Sequence, residues 1–220
     1  DGEMDPDGLQ RCLTELTRRH AILRSTVAEV DAEHPAEHPR PAICGAVGSC
    51  EPAWLAHSVT PVPLPIVDLT DLPPEEHDAA VRELARQFFL QGLDLAIDPP
   101  LRALLLRLEA RAHILLLTLH HAAADGGSAA LLAGEIAALY PRLTAGTCAR
   151  DGEGGIKTAS ALLPPASQQA DYFRWQRAWL AGPEAERQID YWRAQLAGYL
   201  SALPLPGSLP ETAEPPGAFR

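Results

Sequence analysis

The sequence predicts an α/β fold, a two-layer sandwich in which helices pack on a mixed β-sheet. Two apolar runs, Leu101 to Leu108 and Ile114 to Leu119, flank the polar segment 109–112 and predict a β-hairpin that is central and covered on both faces. Segments with apolar residues every three or four positions precede and follow this hairpin and predict amphipathic helices. Helices that alternate with strands in this way are typical of a sheet with helices packed on it.

The segment before residue 60 is predicted to contain a helix and a strand. Asp5 as the N-cap and Pro6 at the first helical position begin the helix, which we expect to end near Arg24. Its inward face contains residues spaced by three and four positions, namely Leu9, Leu13, Leu16, His20 and Leu23. A strand is then predicted from Thr26 to Val30, and the proline and glycine content of 35–52 predicts a loop or a hairpin.

A second strand and a second helix are predicted between residues 60 and 90. The segment from Val62 to Leu69 has the pattern of a strand, and its prolines favour the edge of a sheet. Pro73 and Pro74 begin a helix. One face of this helix is apolar and should cover the sheet, and it contains Val81, Leu84, Ala85, Phe88 and Phe89.

Three helices are predicted after the hairpin. The first runs from Ser128, as its N-cap, to about Leu143, and its inward residues are Leu131, Leu132, Ile136 and Leu139. A loop at 144–166 precedes two helices at about 167–181 and 184–198, which Gly182 and Pro183 separate. We interpret their aromatic residues, Trp175, Trp179, Tyr191 and Trp192, as core packing rather than a ligand stack. The proline-rich sequence from Pro204 is interpreted as a linker.

The composition argues against several classes of function. With a net charge of -11 and a pI near 5.1, the chain lacks the basic surface that nucleic acids and anionic membranes require. No apolar run approaches the roughly 20 residues of a membrane span, and the acidic N-terminal sequence does not resemble a signal peptide. The 4 cysteines lack the spacing of a secreted disulfide framework, so we expect free thiols and a cytoplasmic location.

One group of residues has the order, although not the spacing, of a metal site. It contains His34, His38, Cys44 and Cys50. The histidines lie in a proline-rich duplication that cannot be helical, and the cysteine spacing differs from that of zinc knuckles. We therefore expect no metal, and a solvated hairpin tip is the preferred interpretation.

Two adjacent histidines, His120 and His121, follow the second strand of the hairpin. Because side chains alternate along a strand, the two imidazoles are expected on opposite faces, one packed and the other facing a cleft. Asp125 lies four residues after His121, and Gly126 with Gly127 permits a sharp turn with positive φ. A histidine at a strand end, close to a carboxylate and to a helix N-terminus, is where a general base could be positioned. From these residues alone, a pair of core histidines is an equal alternative.

Three motifs, in order along the chain, resemble those of the condensation domains of nonribosomal peptide synthetases. The segment 119–128, Leu-His-His-Ala-Ala-Ala-Asp-Gly-Gly-Ser, resembles their HHxxxDG motif, with Gly127 where a tryptophan is usual. The segment 19–25, Arg-His-Ala-Ile-Leu-Arg-Ser, resembles RHExLRT, with Ala21 and Ser25 as departures. The segment 170–175, Ala-Asp-Tyr-Phe-Arg-Trp, resembles YxDYAxW, with Gln169 at the position of its tyrosine. With a similar helix at 190–196, the resemblance covers about residues 5 to 205.

The resemblance implies a chloramphenicol acetyltransferase-like fold, in which two halves form a V and the active site lies in a tunnel between them. This sequence matches the first half. We therefore expect residues 1–203 to form the N-terminal subdomain of a condensation domain without its first strand and motif. Residues 204–220 are expected to be a proline-rich linker toward a C-terminal subdomain. Such a half-domain is expected to be inactive by itself.

The resemblance also implies a reaction and its partners. The reaction is amide bond formation between a donor thioester and an acceptor amine, both delivered on the phosphopantetheine arms of peptidyl carrier proteins, with no cofactor bound directly. It implies that His121 is the catalytic residue, that His120 is structural and that Gly126 lets substrate approach the backbone. Asp125 would shape the loop by pairing with an arginine from the upstream motif, either Arg24 or Arg19.

Two kinds of alternative remain open at this point. Epimerisation domains and CoA-dependent or carrier-protein-dependent O-acyltransferases belong to the same superfamily and share the motif. The second alternative is a non-catalytic, truncated interaction module, which the replaced residues Ala21, Gln169 and Gly127 favour.

Overall fold

The computed structural model describes residues 3–31, 50–145 and 167–198. Its α-helices are α1 (Pro6–Arg19), α2 (Pro74–Leu90), α3 (Gly126–Thr144), α4 (Gln169–Leu180) and α5 (Pro183–Leu196), and a 3-10 helix spans Ala21–Arg24. Its strands are β1 (Ser25–Asp31), β2 (Cys50–Ala56), β3 (Ile66–Asp68), β4 (Leu101–Arg107) and β5 (His113–Leu119). The chain divides into two compact units, Asp1–Tyr172 and Phe173–Arg220.

The described residues of the first unit form two sheets. In the three-stranded sheet, with order β3-β4-β5, β3 is parallel to β4 and β4 is antiparallel to β5, so the sheet is mixed as predicted. The predicted hairpin is also confirmed, with Leu101 opposite Leu119 and Arg107 opposite His113. The other sheet is an antiparallel pair of β1 and β2, in which Ser25 lies opposite Ala56. The hairpin pairing places the end of β5 beside the start of β4.

One face of the mixed sheet is covered by α1 and α3. Leu13 and Leu16 of α1 are fully buried with Leu139 of α3 and with Leu105 of β4, because the leucines of both helices recur at helical spacing. Leu115, Leu117 and Leu119, which alternate along β5, pack against the same cluster. This core therefore holds the end of β5 and the body of α3 together.

The other face of the sheet is covered by α2. Phe88 is buried with Leu104 and Leu106 of β4, and Val81 with Leu84 packs against them. The predicted covering helix is therefore confirmed, although Phe89 is 51% exposed rather than inward. The sheet consequently has helices on both faces, and the predicted α/β sandwich with a mixed sheet is confirmed.

The helices and strands differ from the sequence prediction at several positions. The first α-helix ends at Arg19, not near Arg24, because the chain tightens into the 3-10 turn before β1. β5 is half-buried throughout, whereas β4 is the buried central strand, so only one strand of the hairpin is fully covered. In α3, Leu132 and Leu139 are buried but Leu131 is 57% exposed.

The second unit contains α5 and most of α4, whose bounds agree with the predicted pair of helices. The prediction that its aromatic residues pack in a core is wrong. Trp175 and Trp192 are each 58% exposed, and Tyr191 is 57% exposed. Trp175 stacks on Trp179, and Tyr191 contacts Trp192 edge to face. Exposed aromatic rings on a helix pair define a surface that can bind a partner rather than a core.

Three expectations concern parts of the chain that are not described. The candidate metal ligands His34, His38 and Cys44, the loop at 146–166 and the segment from Pro204 lie outside the described residues. Within the described ranges, no group of three or more His, Cys, Asp or Glu side chains could hold a metal ion. No helix in these ranges is long and apolar enough to cross a membrane.

Candidate functional site

His120 is the first residue after β5, and its backbone and ring both hold the turn that follows. Its backbone N–H donates to the carbonyl of Pro100 (3.0 Å), which continues the pairing of β5 with β4. The backbone N–H of Ala122 donates to His120 Nδ1 (3.1 Å), and that of Ala123 donates to the His120 carbonyl (2.9 Å). An Nδ1 atom that accepts a hydrogen bond carries no proton, so the neutral ring of His120 is protonated on Nε2.

His121 is exposed, whereas His120 is half-buried. The predicted alternation does not explain this difference, because β5 ends at Leu119 and His121 already lies in the turn. The turn itself directs the second imidazole outward, and the buried side chain of Ala123 anchors the backbone beneath it. One histidine is therefore held by hydrogen bonds and the other is accessible, and the turn rather than strand alternation produces this difference.

Asp125 is the N-cap of α3. Its Oδ1 atom accepts hydrogen bonds from the backbone N–H of Ser128 (2.8 Å) and from the Ser128 hydroxyl (2.7 Å). The backbone N–H of Asp125 donates in return to Ser128 Oγ (3.2 Å), which completes a reciprocal capping box. The hydrogen bond from the Ser128 backbone, followed by that from its hydroxyl, lowers the pKa of the Asp125 carboxyl. The negative charge lies at the positive end of the helix dipole, where it is stabilising.

This capping box corrects two predictions. Asp125 rather than Ser128 is the N-cap, and Ser128 is the third residue of the helix. Gly126 and Gly127 form the first turn of α3, and neither has the positive φ that we predicted. A Cβ on Gly126 would meet no atom within 4 Å, so this position is open to an approaching molecule. Such access is what the predicted role of Gly126 requires.

The predicted ion pair between Asp125 and an upstream arginine is wrong. Arg24 instead donates to backbone carbonyls, from Nε to His57 (2.8 Å) and from Nη1 to Thr17 (2.8 Å). Arg19 donates from Nη2 to Oε1 of Glu135 (3.3 Å). Because the helix N-terminus supplies its partners locally, the Asp125 carboxylate is satisfied without an arginine.

The two residues at the start of the RHAILRS segment converge on one buried carboxylate. Glu135 on α3 is 7% exposed. Its Oε1 accepts from Arg19, and its Oε2 lies 2.7 Å from His20 Nε2. A buried carboxylate needs such partners, because desolvating an unpaired charge is costly. Arg19 and His20 therefore connect the end of α1 to the middle of α3.

The start of α4 is attached to the same corner through Gln168. The side chain of Gln168 donates from Nε2 to the carbonyl of Arg19 (3.0 Å) and accepts at Oε1 from the backbone N–H of Ala21 (3.0 Å). The backbone N–H of Gln168 donates to Oδ2 of Asp171 (2.9 Å). Asp171 of the third motif therefore stabilises a helix N-terminus. In this structure the first and third motifs support the fold around the end of α1.

Sequence reasoning did not identify Glu135 or Gln168. A signal for Glu135 is present in the sequence, because it lies between Leu132 and Leu139 on the inward face of α3, where a charged residue needs a partner. Gln168 carries no comparable signal. Its two backbone partners are about 147 positions away along the chain, and only the tertiary fold brings them together.

The residues at the start of α3 form a site suited to proton transfer. An exposed imidazole, a rigid turn and an open backbone position lie between Leu119 and Ser128. A neutral imidazole can accept a proton from a nucleophile that approaches over the turn. The capping box keeps the Asp125 carboxylate occupied, whereas the His121 imidazole is exposed.

Comparisons with known proteins agree with the motif assignment. The family model named Condensation domain matches residues 50–218. Over 213 residues the chain is 34% identical to phosphinothricin tripeptide synthetase PhsB of Streptomyces viridochromogenes, covering 97% of this chain and 15% of that protein. Over 213 residues it is 32% identical to chondramide synthase cmdD of Chondromyces crocatus, covering 97% of this chain and 5% of that protein. The chain thus spans a small part of these relatives.

A solved structure supports the same conclusion. The X-domain from teicoplanin biosynthesis, solved in a complex with OxyB, matches with a TM-score of 0.63 and 27% identity, over 93% of this chain and 38% of that chain. Fold, motifs and sequence similarity all agree on a chloramphenicol acetyltransferase-like fold. The chain belongs to the condensation domain family of nonribosomal peptide synthetases.

Proposed function

We propose that this chain provides the part of a condensation domain in which His121 assists amide bond formation between two carrier-bound substrates. The donor is a thioester on the phosphopantetheine arm of one peptidyl carrier protein, and the acceptor is an amine on the arm of another. The two carrier proteins and the C-terminal half of the domain are the partners. The similarity to a tripeptide synthetase supports this substrate class.

The proposal depends on the different environments of the side chains of His120 and His121. The ring of His120 accepts a backbone hydrogen bond, whereas His121 is exposed, and the backbone position at Gly126, later in the same segment, is open. A ring used as a hydrogen-bond acceptor within the turn is not free to move a proton. His121 is exposed, so its imidazole is accessible to a nucleophile that approaches the turn.

The proposed step has a simple balance of atoms and protons. The acceptor nitrogen attacks the thioester carbonyl, a C–N bond forms, and the C–S bond to the donor arm breaks. His121 accepts the proton that the amine loses and returns a proton to the departing thiolate, so the imidazole ends neutral.

A second candidate function is a non-catalytic binding module. The similarity to the teicoplanin X-domain, which has been solved in a complex with OxyB, favours it. The exposed aromatic rings of α4 and α5 also favour it. Epimerisation and O-acyl transfer are alternative outcomes at the same site, because both need an accessible proton acceptor.

The experiment uses the longer protein that contains this chain, with donor and acceptor carrier proteins loaded. Peptide formation is measured by mass spectrometry for the parent and for His121→Ala. The matched control is His113→Ala, which removes a histidine from the other end of the same strand. A reaction with a hydroxyl acceptor is included to detect ester formation. A reaction with the donor alone is included to detect epimerisation.

We expect His121→Ala to lower the condensation rate by about 10² to 10⁴, the usual value for loss of a general base. His113→Ala should retain the parental rate. Condensation at the parental rate by His121→Ala would contradict the assigned role of this residue. A parent that binds carrier proteins and forms neither peptide, ester nor epimer would support the binding module instead.

A further inference from the structure

The helices α4 and α5 bury almost none of their own side chains. No residue of α4 is buried, and in α5 only Ala185 is. The two helices have 12 and 14 residues, and helices of this length are marginally stable in water unless they pack against another surface. We therefore expect another surface to cover their apolar side chains.

The apolar side chains of this helix pair line one groove. Four residues of α5, spaced by four, three and four positions, lie on one face of the helix and form the α5 stripe, namely Ala185, Ile189, Trp192 and Leu196. With Trp179 and Leu180 of α4, the stripe lines a groove of about 520 Å³. Leu180 and Leu196 are each 59% exposed. A continuous exposed apolar surface of this kind indicates an interaction site.

The exposed area of this surface is sufficient for a dimer. Trp175 stacks on Trp179 and extends the surface along α4. Because an aromatic side chain buries about 150 to 250 Å² when it is fully covered, the exposed parts of these residues amount to roughly 600 Å² per copy. Two copies would then bury about 1,200 Å² in total, which is the lower limit for specific interfaces.

The charges beside the α5 stripe are complementary in an antiparallel pair. Glu186 lies in the first turn of α5 and Arg193 in its last turn, and both are exposed. Because they are seven positions apart, they lie on the same side of the stripe. When two α5 helices run in opposite directions and cross near Ile189, Glu186 of each copy faces Arg193 of the other. Arg193 also donates to Asp190 (3.0 Å), but a guanidinium has five N–H donors and can bind both carboxylates.

We propose that a second copy of this chain covers the groove, with the two α5 helices antiparallel and related by a two-fold axis near Ile189. Both copies use the same residues, so the interface closes into a dimer and does not extend into a filament. An interface of this size predicts a dimer that dissociates on dilution. The dimer does not depend on the proposed function, because neither His121 nor a carrier-bound substrate takes part in it.

The test measures the mass of the whole chain, residues 1–220, by sedimentation equilibrium over a range of protein concentrations. The test variant is Ile189→Asp/Leu196→Asp, which places two charges on the α5 stripe. The matched control is Ile97→Asp/Leu90→Asp, which makes the same two substitutions at residues of the first unit that are 74% and 69% exposed. Circular dichroism checks that each variant keeps the helix content of the parent.

We expect the mass of the parent and of the control to rise from that of a monomer to that of a dimer as the concentration increases. The test variant should raise the dissociation constant of the dimer by about 10²-fold or more, because its charges lie at the centre of the interface. A parent that stays monomeric at every concentration would overturn the proposal and leave the groove to a different partner. An equal loss of dimer in the control, or assemblies that grow beyond a dimer, would overturn it as well.

Exchange of charges tests the antiparallel arrangement. Glu186→Arg and Arg193→Glu each place like charges opposite one another at two places in the dimer, and each should raise the dissociation constant about tenfold. The double variant Glu186→Arg/Arg193→Glu restores opposite charges across the interface and should recover the parental value. If the double variant associates as weakly as either single variant, the antiparallel arrangement is wrong.

Discussion

The Nε2 atom of His20 lies 2.7 Å from Oε2 of Glu135, and Arg19 Nη2 lies 3.3 Å from the other oxygen of the same carboxylate. The side chains of Arg19 and Glu135 are each 9% exposed. Glu135 therefore attaches α3 to the end of α1 through residues that are adjacent in sequence. Since α3 begins at the turn that carries His121, this contact fixes the orientation of the helix on which the site depends.

We predict that Glu135→Ala destabilises the first unit by about 3 kcal/mol, because it leaves buried donors of Arg19 and His20 without this acceptor. Glu135→Gln should cost less, since the amide oxygen still accepts one hydrogen bond. Urea unfolding followed by circular dichroism measures both variants. Equal stability of Glu135→Ala and the parent would show that the pair contributes nothing to the fold.

The capping box predicts a pH dependence at Asp125. Hydrogen bonds from Ser128 lower the folded-state pKa of this carboxyl below its unfolded value, which is about 3.9. Its contribution to stability is therefore complete above that pH and is lost as the pH falls through the folded pKa. We expect the difference in Tm between the parent and Asp125→Ala to be present at neutral pH and to shrink in acid. A difference that stays constant down to acid pH would contradict the ionised cap.

His120 should be replaceable by a residue that preserves its hydrogen bond. His120→Ala removes the acceptor of the Ala122 N–H and should cost about 1 kcal/mol in stability, with a loss of activity as the turn loosens. In His120→Asn the Oδ1 atom can take the place of Nδ1, so both properties should recover. Thermal unfolding and peptide formation measure this. No recovery in the Asn variant would indicate that the imidazole has a role besides accepting this bond.

The two side-chain hydrogen bonds of Gln168 predict a local effect. Gln168→Glu keeps an oxygen for the Ala21 N–H but places a second oxygen against the Arg19 carbonyl, where the donor was. We expect a loss of about 1 kcal/mol or more and faster amide hydrogen exchange at Ala21. The amide of Leu105, in the core strand, is the internal control. Unchanged exchange at Ala21 would show that these hydrogen bonds do not restrain this corner.

The thiol of Cys12 is predicted to be unreactive toward alkylating reagents in the folded protein. Burial, followed by the charges of Glu15 and Glu135, raises the pKa of its thiol to about 12, so the reactive thiolate is scarce at neutral pH. We expect no alkylation of Cys12 by iodoacetamide under native conditions and complete alkylation in denaturant. Peptide mapping by mass spectrometry distinguishes the two. Rapid native labelling would mean that α1 opens readily from α3.

The sequence by itself determined the features that depend on local periodicity and on motifs. Apolar residues at three and four positions marked α1, α2 and α3, two apolar runs marked the hairpin, and Gly182 with Pro183 marked the break between α4 and α5. The motif around His120 and His121 indicated the family. These signals are local, because helix spacing, strand alternation and turn residues act over a few neighbours.

Only the tertiary structure decided which polar groups meet. Asp125 accepts hydrogen bonds from Ser128, three residues away. Arg19, one of the two arginines that the sequence suggested for Asp125, pairs with Glu135 instead. Gln168 reaches Ala21 across most of the chain. Aromatic residues with helical spacing are exposed on α4 and α5, because periodicity defines a face of a helix without specifying what covers it. Pairing of buried polar groups depends on distances between elements, and those distances exist only once the chain has packed.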